Sequence, residues 1–246
     1  MLEPALPPSV RAPCASRSDP RWTLVVAVLG SAMAFLDGTV VNVALPVMQR
    51  ELAVGVDVAQ WIVEAYALLL AALVLVGGAL GDRFGRRRVF SLGAALFALA
   101  SVGCAAAPSP GALIAARAAQ GVAAALLVPG SLSLVSAAYP ESTRGAAIGT
   151  WSAFSSITAA VGPVAGGWVV AHASWRWLFL FNLPIAVVVV VLARLRVAET
   201  RDETAAPGMD WLGAGLATLG LGLVVVALVD THHGRTATIA LVAGGV

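Results

Sequence analysis

The sequence predicts an all-α protein that crosses a membrane several times. Of its 246 residues, 59% are hydrophobic and only 11% are charged, and the mean hydropathy is +0.90. A soluble domain is typically about 45–50% apolar and about 25% charged. Apolar runs of about 20 residues recur along the chain, which is the length that a helix needs to cross the hydrocarbon layer. The chain is therefore expected to be an integral membrane protein that lies in the lipid bilayer.

The apolar runs set the order of the predicted elements. They place membrane-spanning helices near 22–47, 58–80, 89–107, 111–138, 146–170, 176–195 and 210–229. An eighth run begins near 236 and stops at Val246, and at about 1.5 Å per residue it reaches only about halfway across the membrane. We therefore expect the sequence to be an N-terminal fragment of a longer protein, or the product of a broken reading frame.

Polar segments divide the chain into four predicted parts. Residues 1–21 contain five prolines and are interpreted as a disordered cytoplasmic tail. Residues 22–197 form the predicted six-helix bundle, and the polar residues 198–209 are interpreted as a cytoplasmic linker. Residues 210–246 are predicted to form an extra helix pair, a seventh helix followed by the start of an eighth.

The arginines predict which helix ends face the cytoplasm. All 15 basic residues are arginine. With the N-terminus inside, the cytoplasmic segments hold eleven of them and the outer segments hold three, and short arginine-rich loops stay cytoplasmic. Because the arginines lie at helix ends and not on one soluble face, nucleic-acid binding is not expected. The predicted location is the cell (inner or plasma) membrane, with multiple spans and a cytoplasmic N-terminus.

Three ionisable residues lie inside predicted spans, where charges are costly and usually functional. Asp37 is about 15 Å below the outer end of its helix, and Glu64 and Arg117 are each about 9 Å below theirs. We expect the three to share a cavity in which Arg117 pairs with one carboxylate, while the other exchanges a proton or binds a cationic substrate. The alternative is a fixed Asp37–Arg117 ion pair that sets helix register, with Glu64 reaching towards the outer interface.

Glycine patterns mark the second and fifth predicted spans. Gly162 and Gly166 form a small-xxx-small pair around Pro163, which favours close helix packing or a bend that seals a cavity. Residues 77–88 contain one aspartate and four arginines between two apolar runs, so this segment must lie outside the hydrocarbon. Asp82 is expected to cap a helix or to pair with an arginine across the cytoplasmic face.

These motifs resemble those of the major facilitator superfamily, and within it the fourteen-span drug:proton antiporter group. Residues 36–46 are similar to the first-helix signature of that group, and residues 117–121 resemble its R-x-x-Q-G motif in helix four. Residues 77–88 resemble the superfamily's loop motif between helices two and three. Residues 162–167 resemble the antiporter motif of helix five, and residues 210–213 resemble the start of the extra seventh helix.

The resemblance implies three-helix inverted repeats around a central cavity, with proton-coupled export by alternating access. Together with the buried charges, it predicts a coupling site, a loop that switches conformation and a helix that closes the cavity against leak. The coupling residues are Asp37, Arg117, Glu64 and Asn42. The switch-loop residues are Gly78, Asp82, Arg83, Gly85, Arg86 and Arg87, and the helix-five residues are Gly162, Pro163, Gly166 and Gly167.

The predicted function is proton-coupled transmembrane export of small amphipathic compounds or drugs. The predicted partners are a small-molecule substrate, protons, and a second, C-terminal helix bundle that the superfamily requires. Two alternatives stay open: a uniporter or symporter of a small metabolite with the same fold, and a non-transporting membrane interaction protein. We do not predict an enzyme or a cofactor, since no H-E-x-x-H, G-x-S-x-G or phosphate-loop motif occurs. No C-x-x-C or His/Cys cluster suggests a metal site.

Overall fold

The computed structural model describes residues 19–201 and, beyond them, positions 213, 215–216, 219–220 and 222–224. Within 19–201 every regular element is a helix. The helices are α1 (Pro20–Leu52), α2 (Val56–Phe84), α3 (Arg86–Ala106), α4 (Pro110–Ala138), α5 (Glu141–His172), α6 (Arg176–Leu180) and α7 (Asn182–Arg196).

Six segments of this described part are long and apolar enough to cross a membrane. The first five are α1 to α5. The sixth consists of α6 and α7 in succession, Arg176–Arg196, which are interrupted only at Phe181. The predicted all-α membrane fold and its six-helix bundle are therefore confirmed.

The first helix is longer at both ends than the sequence predicts. The Asp19 carboxylate accepts a hydrogen bond from the Arg21 amide at 3.0 Å, and Pro20 occupies the first turn, so α1 begins inside the predicted tail. At the other end α1 continues through Pro46 to Leu52. It stops at Ala53, whose φ of 51° is left-handed and whose amide bonds back to Gln49. Pro46 is exposed on the helix surface.

Several predicted segments fall partly or wholly outside the described residues. Of the predicted tail, residues 1–18 lie outside them, and so do most of the linker after residue 201 and the eighth helix from about 236. Of the predicted seventh helix at 210–229, the described positions are all helical.

Glycines allow α2 and α4 to approach at backbone distance. α4 packs most extensively against α2 and α3, and α1 packs against α5 and α4. A methyl group on Gly121 would lie 2.5 Å from the Tyr66 carbonyl oxygen, and one on Gly77 would meet the Ala125 carbonyl. Neither site can take a larger residue unless the helices separate, so these two glycines set the α2–α4 distance.

The buried side chains form two main apolar clusters. One surrounds Phe90, Phe97 and Leu127, and the other surrounds Trp175 and Phe179. Arg117 contacts a member of each cluster: the ring of Tyr66 in the first and the carbonyl of Ile62 in the second. The polar side chains described next therefore lie between the two clusters, where they are enclosed by apolar groups.

Candidate functional site

An ion pair between Asp37 of α1 and Arg117 of α4 lies in the centre of the bundle. The Arg117 Nη1 group donates to the Asp37 Oδ2 atom, and the two side chains are 1% (Asp37) and 0% (Arg117) exposed. Charges this deeply buried cost several kcal/mol each to desolvate, so they persist only where their remaining hydrogen-bonding capacity is satisfied. The structure confirms contact between the two residues that the sequence singled out.

Two amide side chains hold the second oxygen of Asp37. Gln120 of α4 and Asn182 of α7 each donate to the Asp37 Oδ1 atom at 3.2 Å. The carboxylate thus accepts hydrogen bonds from three side chains, all of them fully buried. Every one of these bonds joins α1 to another helix, so Asp37 links α1, α4 and α7.

Ser101 of α3 completes the network. Its hydroxyl oxygen accepts hydrogen bonds from Gln120 at 2.8 Å and from Asn182 at 3.2 Å. It donates to the Phe97 carbonyl at 2.8 Å. The Gln120 carbonyl oxygen accepts from Arg117 at 2.8 Å and from the Cys104 thiol at 3.1 Å. Gln120 therefore uses both its donors and its acceptor, as a buried amide must to avoid an unpaired polar group.

The guanidinium of Arg117 is enclosed by α2 and α6. Its Nε atom donates to the Ile62 carbonyl at 3.0 Å, and its carbon lies 4.4 Å from the centre of the Tyr66 ring and 5.9 Å from that of Phe179. The Tyr66 hydroxyl in turn donates to the Ala34 carbonyl at 3.0 Å. The Nη2 atom is buried without a hydrogen-bond partner among the described residues. The site thus keeps one cationic donor free.

Glu64 lies outside this network, contrary to the expectation that it shares a cavity with Asp37 and Arg117. It is half-buried, and among the described residues no hydrogen bond or ion pair to it is found. The reason is helix rotation: α2 presents Ile62 and Tyr66 to Arg117, and a position two residues from either is rotated by about 200° around the helix.

Asn42 also lies apart from the ion pair. It is exposed in this chain, and its amide donates to the Gly38 carbonyl of its own helix at 2.8 Å. Five residues separate it from Asp37, which turns it by about 140° around α1. The structure therefore brings together only Asp37 and Arg117 of the four predicted coupling residues.

The glycine motif of α5 packs against α1 beside the ion pair. A methyl group on Gly166 would lie 2.8 Å from the Val40 side chain, and one on Gly162 would meet the Thr39 hydroxyl. Pro163 points outwards and is exposed, and Gly167 lies beside Val43. Gly162 and Gly166 thus seat α5 directly on the turn of α1 that follows Asp37.

The predicted switch loop is a tight turn between α2 and α3. Gly85 has a φ of 109°, a conformation that side chains disfavour. Asp82 pairs with Arg86 at 2.8 Å within the same turn, so its partner is local. Arg83 is exposed over the Phe84 ring. Gly78 is partly buried on α2, towards α4.

Glu199, which follows the sixth span, docks onto this turn. It accepts a hydrogen bond from the Arg87 amide at 3.1 Å, and its carboxylate lies 3.5 Å from the guanidinium groups of both Arg87 and Arg88. Arg87 also donates to the Val197 carbonyl at 3.0 Å, and the Arg86 amide donates to the Thr200 carbonyl at 3.0 Å. The end of the sixth span is thereby fixed to the start of the third.

The predicted coupling residues do not include several residues of the site. Gln120 is the glutamine of the R-x-x-Q-G motif at residues 117–121, and it lies three positions after Arg117, hence on the same helix face, so the motif could have assigned it to the site. Asn182 lies at the entry to the sixth predicted span, and no coupling role was predicted for it. Ser101 and Tyr66 carry no such signal, because their roles depend on which helices are neighbours.

Comparison with known proteins gives a consistent assignment. The sequence profile of the Major Facilitator Superfamily matches residues 27–244. A puromycin resistance protein of Streptomyces alboniger is 40% identical over 88% of this chain and 43% of its own length. The multidrug resistance protein Stp of Mycobacterium tuberculosis is 43% identical over 85% of this chain and 39% of its own length. The chain thus spans about two fifths of these relatives.

Solved structures share the fold at low sequence identity. The peptide transporter POT in complex with sulfate has a TM-score of 0.66 at 18% identity, over 91% of this chain and 49% of its own. The proton:xylose symporter XylE has a TM-score of 0.61 at 15% identity, over 92% of this chain and 52% of its own. These likenesses concern the fold alone.

Proposed function

The chain belongs to the major facilitator superfamily, and we propose that its six-helix bundle is part of a transporter that exports small amphipathic compounds in exchange for protons. The superfamily consists of membrane transporters and not of enzymes, so the bundle serves to bind and move a substrate. The observation that carries the proposal is the buried Asp37–Arg117 pair, which joins α1 to α4 inside the bundle.

The relatives support an amphipathic substrate. The names of three of them refer to resistance against puromycin, methylenomycin A or multiple drugs, and a fourth is a probable actinorhodin transporter. These compounds differ in chemistry, which fits a cavity that selects by size and apolar surface more than by fixed hydrogen bonds. Puromycin is the first probe, because the Streptomyces alboniger relative is similar over most of the chain.

Asp37 is the proposed proton-coupling carboxylate. Among the described residues, Asp37 is the acidic residue that is fully buried, and it is bonded to Arg117, Gln120 and Asn182. Protonation would remove the charge that holds Arg117 and the acceptor capacity that holds the amides. Loading a proton would therefore loosen α1 from α4 and α7, which is a direct link between proton binding and helix movement.

The proposal includes a second helix bundle as the partner of this one. The spans least buried within the described bundle are α5 and α2. In their most apolar stretches, 17% of the α5 residues and 28% of the α2 residues are buried, compared with 50% in α1 and α4. Alternating access needs two bundles that rock about a site at their interface. We assign the uncovered faces of α2 and α5 to that interface, and the α2–α3 turn to the cytoplasmic side.

The test uses everted membrane vesicles that carry the product of the complete gene. Addition of puromycin to vesicles with an acidic interior should collapse part of the pH gradient and load the drug, and an uncoupler should abolish loading. Asp37→Asn should stop both in vesicles that contain the same amount of folded protein as wild-type vesicles, a comparison that is needed because the variant also destabilises the bundle. The matched control is Asp57→Asn, which removes an exposed carboxylate at the start of α2.

Each outcome distinguishes the candidates. Drug loading that persists with the uncoupler would indicate a uniporter, and drug movement in the same direction as protons would indicate a symporter. No drug movement with several amphipathic probes would favour a non-transporting protein. Full drug-driven proton release in Asp37→Asn would refute the assignment of Asp37.

A further inference from the structure

A basic pocket opens between α3 and α7 at the end of the bundle that carries the α2–α3 turn. It has a volume of about 430 Å³ and is lined by Arg87, Arg88, Ser91, Leu92, Ala95 and Arg194. It shares no lining residue with the Asp37–Arg117 network. Arg87 and Arg88 belong to the loop motif of residues 77–88, whereas Ser91 and Arg194 belong to none of the motifs assigned above.

The pocket has an excess of positive charge. Arg87 and Arg88 share the single carboxylate of Glu199 at 3.5 Å each, and no ion pair of Arg194 is found among the described residues. Three arginines and one glutamate give a local charge of +2. The Ser91 hydroxyl, in a residue that is only 8% exposed, has no hydrogen-bond partner in the described part of the chain. The pocket is therefore suited to a ligand that is anionic and accepts hydrogen bonds.

An apolar groove continues directly from this pocket towards the middle of the membrane. It has a volume of about 240 Å³ and is lined only by small aliphatic residues: Ala95, Ala98, Ala186, Val187, Val190 and Val191. Ala95 lines both the pocket and the groove. A free inorganic anion would fill the basic part alone, whereas an acyl chain attached to a phosphate would fill both.

We propose that the pocket and groove bind an anionic phospholipid, with its phosphate between Arg88 and Arg194 and one acyl chain along α3 and α7. Basic pockets between membrane helices on the cytoplasmic side suit lipid head groups, since arginine pairs with phosphate through two parallel hydrogen bonds. The Ser91 hydroxyl would donate to the same phosphate. None of the lining residues belongs to the ion-pair network, although Arg87 is also one of the predicted switch-loop residues.

The test measures lipid binding to the chain purified in detergent, by native mass spectrometry with added phosphatidylglycerol or phosphatidylcholine. We expect one phosphatidylglycerol molecule to bind at least tenfold more tightly than phosphatidylcholine. Arg194→Gln should weaken phosphatidylglycerol binding about fivefold, the usual effect of one arginine near an anionic surface. The matched control is Arg196→Gln at the same helix end, since Arg196 lies over the Trp22 ring and outside the pocket; its effect should be below twofold.

A second variant tests the groove without changing charge. Ala95 is exposed, so Ala95→Trp fills the junction between pocket and groove without disturbing the core. This variant should weaken phosphatidylglycerol binding by at least fivefold. Inorganic phosphate at millimolar concentration should not compete. The proposal would be overturned if Arg194→Gln and Arg196→Gln reduced phosphatidylglycerol affinity equally. It would also be overturned if phosphatidylcholine bound as tightly as phosphatidylglycerol. The proposal would also be overturned if inorganic phosphate displaced phosphatidylglycerol completely and Ala95→Trp left its binding unchanged, because the site would then bind a free anion.

Discussion

Replacing Asp37 by asparagine should destabilise the bundle by about 3–5 kcal/mol, the usual cost of removing one partner from a buried ion pair. The geometry explains why asparagine cannot substitute. Three donors, from Arg117, Gln120 and Asn182, converge on the two carboxylate oxygens. Asparagine has one acceptor oxygen, so its NH2 group would face a donor. Arg117 is 0% exposed, so water cannot reach it to compensate for the lost charge.

A double-mutant cycle measures the pair directly. Arg117→Gln should destabilise by a similar amount, and the double variant should be more stable than the sum of the single effects predicts by about 2–3 kcal/mol. The assay is unfolding of the purified chain in mixed micelles of increasing SDS content, followed by helical circular dichroism. A loss of 3–5 kcal/mol corresponds to about two to four orders of magnitude in the unfolding constant.

The matched control is Glu64→Gln, which makes the same chemical change on a neighbouring helix. Because Glu64 has no bonded partner among the described residues, its effect should stay within about 0.5 kcal/mol. Strict additivity of the two ion-pair variants would refute the reasoning. So would a cost for Glu64→Gln that equals the cost for Asp37→Asn.

Three further predictions concern helix packing, the α2–α3 turn and topology. Gly166→Leu should overpack the α1–α5 contact and lower stability by about 1–3 kcal/mol, measured by thermal unfolding. Glu199→Gln should cost about 1–2 kcal/mol and should increase proteolysis after residue 197, because it removes the charged acceptor that holds the Arg87 amide. A cysteine placed at Ser109 should react with an impermeant maleimide on intact cells, whereas one at Thr143 should react only after permeabilisation.

Controls for these predictions come from the same chain. Gly149→Leu alters an α5 glycine with open space around it and should leave stability nearly unchanged. Glu141→Gln removes an exposed carboxylate at the start of α5 and should not change proteolysis. Equal effects in variant and control would contradict the packing and turn predictions. Labelling at Thr143 on intact cells, with labelling at Ser109 only after permeabilisation, would contradict the predicted cytoplasmic N-terminus.

The sequence was sufficient for the membrane class, the six spans and the presence of two charged residues, Asp37 and Arg117, inside the spans. These follow from local properties, since a run of apolar residues must be helical in hydrocarbon and a charge within it is conspicuous. The helix ends were less certain. The first predicted span ends near 47, but an exposed proline on a helix surface removes only one donor, and α1 continues through Pro46 to Leu52.

Only the tertiary structure decided which polar groups meet. Asp37, Glu64 and Arg117 have similar predicted depths, yet only Asp37 reaches Arg117, because pairing depends on how each helix is rotated and which helices are neighbours. The same holds for Ser101 and Asn182, which lie 81 residues apart in sequence and share a hydrogen bond. Glu199 likewise finds the α2–α3 turn only through folding. Hydropathy is read along the chain, whereas contacts between distant residues are set by helix packing, for which glycines such as Gly121 and Gly166 fix the distances.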